Sequence, residues 1–184
     1  QVLTVDSLNI QDATTSVTLN GALTTDGAVN IDSGGTIAIN AAINTSSSSS
    51  GTVDIDGTGT TTIASAGDIN AGGAVVFGAN KSGTLTTSGD IVTSNDNITF
   101  TRAVTLGGNV DIDTTGSSGG NILFSSTIAT GDNNLALDAG SAGNVTLSGN
   151  LTGGGAMTVR DGAVQSYQVL TVDSLNIQDA TTSV

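Results

Sequence analysis

Apolar residues in this chain recur in pairs two positions apart, and the pairs return at regular intervals. One stretch has an apolar pair at Val17 and Leu19, a single apolar residue at Leu23, and a second pair at Val29 and Ile31. Alternation at every second position predicts short strands with one face buried. Three such strands separated by turns would make one coil of a parallel β-helix, in which each coil stacks on the previous one at about 4.8 Å.

A short repeat of similar phrases follows this pattern along the chain. The phrases begin at fairly even intervals, and the cycle starts again at position 184. They are VTLNG at 17, TIAIN at 36, TTTIAS at 60, TLTTSG at 84, VTLGG at 104, NILFSS at 121, NVTLSG at 144 and a degenerate start at Val164. With each phrase counted as one coil, we expect about eight coils of three short strands. An antiparallel sandwich also has short alternating strands, but it requires neither regular coils nor a long repeat.

A second, longer repeat contains several copies of the short one. Residues 1–17 and 168–184 both read QVLTVDSLNIQDATTSV, so the sequence returns to itself at position 168 and defines a 167-residue unit. An identical segment of this length predicts a tandem array, of which this chain covers one unit and the start of the next. We therefore expect residues 1–184 to form one continuous β-solenoid segment of a longer protein.

The composition favours strands and turns and disfavours several partners. The chain has no Pro, Cys, His, Trp or Glu, its 16 acidic residues are all Asp, and its cations are Lys81, Arg102 and Arg160. Val, Ile and Thr suit a pleated surface, and Gly, Asn, Asp and Ser suit tight turns. A net charge of −13 disfavours binding to nucleic acid or to an anionic membrane. We also expect no membrane insertion, because the sequence has no long apolar run.

Enzymatic chemistry is not expected of this sequence. Without His, Cys or Glu, the usual general bases, nucleophiles and metal clusters are not available. Lys81 and Arg102 fall in different coils, and the alignment of the coils places neither beside a recurring Asp cluster. We therefore expect no catalytic site and no cofactor, with calcium as the one ion that the acidic residues suit.

Aspartates at matching positions of neighbouring coils are the candidate metal ligands. Asp32 and Asp56 align at one turn, and Asp113 and Asp138 align in the same way, followed by Arg160. Carboxylates about 5 Å apart repel each other by about 1 kcal/mol in water, and calcium, which takes oxygen ligands, would relieve the repulsion by bridging them. Two alternatives stay open: Arg160 neutralises Asp138, or the aspartates form a solvated acidic face that keeps fibres soluble.

Two further features bear on a binding surface. Threonine runs such as 60–62 suggest an ice-binding ladder, but the alignment predicts a mixed outward column that argues against one. The residues of this column are Asn30, Asp54, Val76, Thr99, Asp111, Ala136, Thr158 and Asn176. Phe77, Phe100 and Phe124 fall at inward positions, which leaves Tyr167 as the aromatic residue expected at the surface, where it could stack on a sugar.

Three phrases resemble the repeats of filamentous haemagglutinin-type proteins, which are giant bacterial β-helices. The phrases are GNVTLSGNLTGGGAMTV, DNITFTRAVTLGGNVDID and GGNILFSSTIATGDNNLALDAG, and the resemblance extends over the whole chain. It implies a right-handed parallel β-helix, export to the cell surface or the extracellular space, and a role in adhesion, aggregation or surface filaments. It implies no catalytic residues.

A structural filament is the function that the two repeats favour. A long array of near-identical units makes a rigid shaft without internal strand edges. Its partner would be the chain itself, through tandem continuation or end-to-end stacking and through lateral bundling. The alternative is an adhesin shaft, or a glycan- or cell-binding module, of a secreted two-partner-type protein.

Overall fold

The structure of the chain, a computed structural model, describes residues 1–78, 83–116 and 118–180. Lys81 lies outside these residues. Within them the chain forms 25 strands and no helix. In chain order the strands are β1 (Leu3–Val5), β2 (Leu8–Ala13), β3 (Ser16–Leu19), β4 (Leu23–Thr25), β5 (Val29–Ser33), β6 (Thr36–Ile39), β7 (Ile43–Asn44), β8 (Val53–Gly57), β9 (Thr61–Ile63), β10 (Ile69–Ala71), β11 (Val75–Phe77), β12 (Leu85–Thr87), β13 (Ile91–Thr93), β14 (Ile98–Phe100), β15 (Val104–Leu106), β16 (Val110–Asp113), β17 (Ile122–Phe124), β18 (Ile128–Gly131), β19 (Leu135–Asp138), β20 (Asn144–Leu147), β21 (Leu151–Gly153), β22 (Ala156–Gly162), β23 (Val164–Ser166), β24 (Leu170–Thr171) and β25 (Ser174–Ala180).

The strands form three parallel sheets, and each coil contributes one strand to each sheet. Sheet 1 has the order β1-β4-β7-β10-β13-β16-β19-β22-β25, and sheet 2 has the order β2-β5-β8-β11-β14-β17-β20-β23. Sheet 3 has the order β3-β6-β9-β12-β15-β18-β21-β24. The predicted fold is therefore confirmed: the chain is an all-β parallel solenoid of about eight coils with three short strands per coil.

Alternate residues of each strand fill the interior of the solenoid in register from coil to coil. Val29, Val53 and Val75 are Cα partners in sheet 2, and all three are almost completely buried. β-Branched residues suit these positions because their side chains pack well against neighbours on a pleated surface. Buried threonines at strand ends satisfy the adjoining turns; the hydroxyl of Thr87, for example, donates to the carbonyl oxygen of Gly89 at 2.9 Å.

Three phenylalanines form a continuous stack inside sheet 2. The rings of Phe77 and Phe100 have centroids 5.2 Å apart, and those of Phe100 and Phe124 have centroids 4.3 Å apart. Both pairs are nearly parallel, at 6° and 8°. In-register pairing places the three residues directly above one another, so the stack lies in one column between Ile55 and Leu147. The inward position predicted for the three phenylalanines is confirmed.

One spacing in the short repeat contains two strands instead of three. The phrase at 104 begins β15 in sheet 3, whereas the phrase at 121 leads into β17 in sheet 2. The first 23 strands therefore fill one 167-residue unit, one strand short of eight complete coils. The outward column predicted from the alignment is wrong for the same reason. Asn30, Asp54, Val76 and Thr99 lie in sheet 2, but the column from Asp111 onward lies in sheet 1.

The degenerate coil that begins at Val164 has a glutamine at its inward position. Gln165, not Val164, pairs with the inward residue Val145, so Gln165 is 3% exposed and Val164 is 48% exposed. Tyr167 is partly buried against the core, and its hydroxyl donates to Oε1 of Gln165 at 2.5 Å. Burial raises the pKa of Tyr167 to about 12. The expectation that Tyr167 stands at the surface is therefore corrected to a half-buried side chain.

We expect Phe100→Ala to lower the free energy of unfolding by about 3–5 kcal/mol, because it opens a cavity in the middle of the aromatic stack. Phe100→Leu is the matched control and should cost clearly less, because the same column already accommodates Ile55 and Leu147. Urea unfolding followed by circular dichroism measures both. Equal losses for the two variants would contradict a role for the stack in filling the column.

Candidate functional site

The candidate metal ligands form two separate pairs on two different sheets. Asp32 and Asp56 are Cα partners on β5 and β8 of sheet 2, and Asp113 and Asp138 are Cα partners on β16 and β19 of sheet 1. The alignment of each pair on neighbouring coils is as predicted. Among the described residues, no group of three or more acidic side chains is arranged to hold a metal ion. Calcium bridging within either pair stays a prediction.

A buried arginine lies beside the sheet 2 pair. Arg102 follows β14, and its side chain runs back along the stack over Gly78 to the coil two positions earlier. There, Nη1 donates to the carbonyl oxygen of Gly57 at 3.2 Å and to Oγ1 of Thr61 at 3.3 Å. Nη2 forms an ion pair with Oδ1 of Asp56 at 3.6 Å, and the two side chains are only 2% and 4% exposed.

This contact corrects the expectation that Arg102 stands apart from the aspartates. We call Arg102, Asp32, Asp54 and Asp56 the Arg102 cluster. Pairing of β5 with β8 brings the three carboxylates onto two adjacent coils, and the length of the arginine side chain lets it reach Asp56 from a third. Sequence alignment of single coils could not find the contact, because it joins residues far apart in the chain on coils that are not neighbours.

Electrostatics in the Arg102 cluster follow from burial. Desolvation raises the pKa of Asp54, and repulsion from Asp56 raises it further, whereas attraction to Arg102 lowers it. Desolvation also lowers the pKa of Arg102, against the opposing attraction of Asp56 and Asp54. The arginine thus partly neutralises a group of carboxylates within the stack. Since Arg102 and Asp56 are almost completely buried, this arrangement leaves little room for a substrate to reach either one.

A second arginine crosses a coil on sheet 1. Nη1 and Nη2 of Arg160 bind the two carboxylate oxygens of Asp111 at 2.9 and 2.7 Å, across the intervening strand β19. A register shift pairs Asp138 with Asp161, so Asp161 continues the predicted column and Arg160 is the extra residue. The direct partner of Arg160 is thus Asp111 and not Asp138, although the charge of Arg160 also attracts Asp138 and lowers the pKa of that carboxyl. Burial still raises the pKa of Asp138.

Recurrent Asn and Asp residues bind the backbone of the next coil. Oδ1 of Asn97 accepts the N–H of Asn121 at 2.8 Å, and Oδ1 of Asn121 accepts the N–H of Asn144 at 2.9 Å. In sheet 1, Oδ1 of Asp68 accepts the N–H of Asp90, and Oδ1 of Asp90 accepts that of Asp111. These side chains satisfy backbone donors at strand starts, which explains their recurrence without a ligand.

The outer surface of sheet 3 is the least charged side of the solenoid. Among the described strands, those of sheet 3 contain no charged residue. One in-register row runs along its whole length and has six threonines and two alanines. We call this the threonine row; its residues are Thr18, Ala38, Thr62, Thr86, Thr105, Ala129, Thr152 and Thr171. The predicted outward column missed this row because it followed a different strand of each coil, which lies in sheets 2 and 1.

Comparison with known proteins gives no relative: the chain matches no protein-family model, no curated protein and no solved structure. The described part of the chain contains no helix long and apolar enough to span a membrane. The fold defines the class of the protein as a parallel β-solenoid. Both described arginines form ion pairs with aspartates, and several aspartates accept backbone N–H groups.

We expect Asp54→Asn to raise the free energy of unfolding at pH 7. A carboxyl group whose pKa is raised in the folded state stabilises the fold fully only below its unfolded pKa, near 4, and loses this contribution as the pH rises. The advantage of the variant should therefore disappear towards pH 3. Thermal unfolding at pH 7 and pH 3 measures the difference in stability between the variant and the unchanged chain. Asp6→Asn, at an exposed position, is the control. A loss of stability at pH 7 would contradict the assignment.

We expect Gly78→Ala to lower the free energy of unfolding by about 2 kcal/mol or more. Gly78 has a φ of +83°, and a β-carbon there would lie 2.2 Å from Nε of Arg102. Gly34→Ala is the control and should change little, because the nearest atom to its β-carbon would be 3.5 Å away. Urea unfolding checks both.

A double-mutant cycle of Gly78→Ala with Arg102→Ala separates the clash from backbone strain. If the new methyl group displaces the arginine, the two changes together should cost less than the sum of their single costs. If the two losses of unfolding free energy simply add, Gly78→Ala destabilises the fold through backbone strain and not through a clash with Arg102.

Proposed function

We propose that this chain is a structural unit of a long extracellular or cell-surface filament of the filamentous haemagglutinin type. The observation that carries the proposal is the way in which the repeated segment joins the stack. Its first copy pairs with the following coil through β1 and β4, and its second copy pairs with the preceding coils through β24 and β25. The same sequence thus serves as the next layer of the same solenoid, as a tandem array requires.

The pairing of strands along the sides supports a shaft. Each inner strand hydrogen-bonds to the coil before and the coil after, so unpaired edges remain only at the two ends of the described stack. In a tandem array these ends are covered by the neighbouring units. A net charge of −13, together with arginines already paired within the stack, supports a soluble shaft with no affinity for nucleic acid.

The burial of the Arg102 cluster supports a structural protein rather than an enzyme. Parallel β-helix enzymes could use Asp and Arg, but Asp56 and Arg102 are covered, and Arg160 and Asp111 bind each other through both carboxylate oxygens. A groove on sheet 1 keeps the adhesin alternative open, since Asp90, Asn109 and Asn134 line it beside that pair. Oδ1 of each of these side chains already accepts a backbone N–H, so a glycan would bind the amide NH2 groups of Asn109 and Asn134 and the second carboxylate oxygen of Asp90.

Electron microscopy and mass measurement of the native material test the filament. We expect uniform unbranched rods that lengthen by about 4.8 Å for each coil. After complete denaturation we expect a mass many times that of one 167-residue unit. A ladder at the mass of single units would show that separate chains stack end to end and would contradict the continuous chain. Compact particles without rods would contradict the filament.

A glycan array tests the alternative on the same material. Specific binding that Asn134→Ala abolishes while the fold is retained would favour the adhesin over a purely structural shaft. We expect no such binding.

A further inference from the structure

Two copies of the same sequence lie in different sheets of the solenoid. Leu3 and Thr4 belong to β1 and pair with β4 in sheet 1. Their counterparts in the second copy, Leu170 and Thr171, form β24 and pair with β21 in sheet 3. Identical residues therefore take the same strand conformation on two different sides of the shaft.

The next strand of the repeated segment is also in a different sheet in the two copies. Leu8–Ala13 is β2 and pairs with β5 in sheet 2. The corresponding residues 175–180 lie in β25, which pairs with β22 in sheet 1. Both strands are thus displaced by one sheet in the same sense. A shift confined to one frayed strand would not give this agreement.

The second copy is displaced by one sheet because of the number of strands in the unit. The described part of one unit contains 23 strands, because β24 repeats the sequence of β1. A stack of three sheets needs a multiple of three strands for each unit to end on the side where it started. The unit is one strand short of this, as the two-strand spacing between the phrases at 104 and 121 requires.

We propose that the end of each unit is a docking surface for the next copy of the unit, turned by a third of a turn about the shaft axis. This inference rests on the tandem array of the proposed function. The threonine row of the first unit lies on sheet 3. The row of the second unit would lie on the side of sheet 2, and the row of the third unit on the side of sheet 1. The original orientation returns after three units, or 23 coils, which is about 110 Å of shaft.

The turn determines where surface chemistry lies along the shaft. With eight complete coils per unit, the uncharged threonine row would form one stripe along the shaft and the aspartates would form others. With 23 strands, every side of the shaft presents the three kinds of surface in succession. A second shaft could then approach from any of three directions and meet the same alternation of charged and uncharged segments.

A chain of three tandem units labelled at one position per unit tests the turn. The natural sequence has no Cys, so Thr105→Cys in each unit gives one gold-labelled site in the exposed threonine row. Cryo-electron microscopy should show successive labels on three sides of the rod, each about 37 Å further along. Labels on a single side of the rod would overturn the inference and leave the filament intact.

A control within one unit verifies that the labels report the side of the shaft. Thr18→Cys and Thr152→Cys in the same chain lie in the same row, six coils apart, so both labels should appear on one side about 29 Å apart. Failure of the three-unit chain to form a rod would contradict the proposed function and this inference together. Rods with labels on one side contradict this inference alone.

Discussion

The in-register pairing of each coil with the next is the constraint on which the rest of this structure depends. Because every strand is parallel to its neighbours and residues pair one to one, any residue meets its counterparts from the coils above and below. Apolar residues therefore form columns in the interior, and phenylalanines meet phenylalanines. Asparagines at strand starts meet backbone N–H groups of the next coil in the same way. The chain needs neither disulfides nor helices to hold such columns in place.

The same pairing makes charged positions difficult, and the two described arginines relieve them in a similar way. A carboxylate that recurs on the next coil faces another carboxylate at about 5 Å, and burial makes the repulsion stronger. Arg102 and Arg160 each pass over one intervening coil to reach an aspartate on the coil beyond. Glycine at position 78 provides the space for the first crossing, and a register shift places the second.

Much of the fold could be predicted from the sequence because alternation is a local property. Val17, Leu19 and the phenylalanines follow the rule of every second residue, and the structure buries them or packs them against the core. The position of a strand among the three sheets is not local, since all three sheets use similar short phrases. The phrases at 104 and 121 lie on different sides of the solenoid, so counting each phrase as a full coil gave one strand too many.

The contacts of the Arg102 cluster were beyond sequence reasoning for a different reason. They depend on how far a side chain extends and on a glycine with positive φ, and neither follows from hydrophobic periodicity. The Asp32–Asp56 and Asp113–Asp138 alignments could be predicted because they need only the register. Gln165 could not be identified as an inward residue, because a buried glutamine interrupts the apolar pattern that marks inward positions.

The arginine crossings also affect how the shaft responds to mechanical load. A solenoid pulled from one end unravels by peeling off its terminal coil, since the hydrogen bonds of that coil connect it to only one neighbour. The coil that carries Arg102 is also bound to the coil two positions away through Gly57, Thr61 and Asp56. When peeling reaches this point, the side-chain contacts must break with the backbone ones. We therefore expect such crossings to resist unravelling at fixed places along the solenoid.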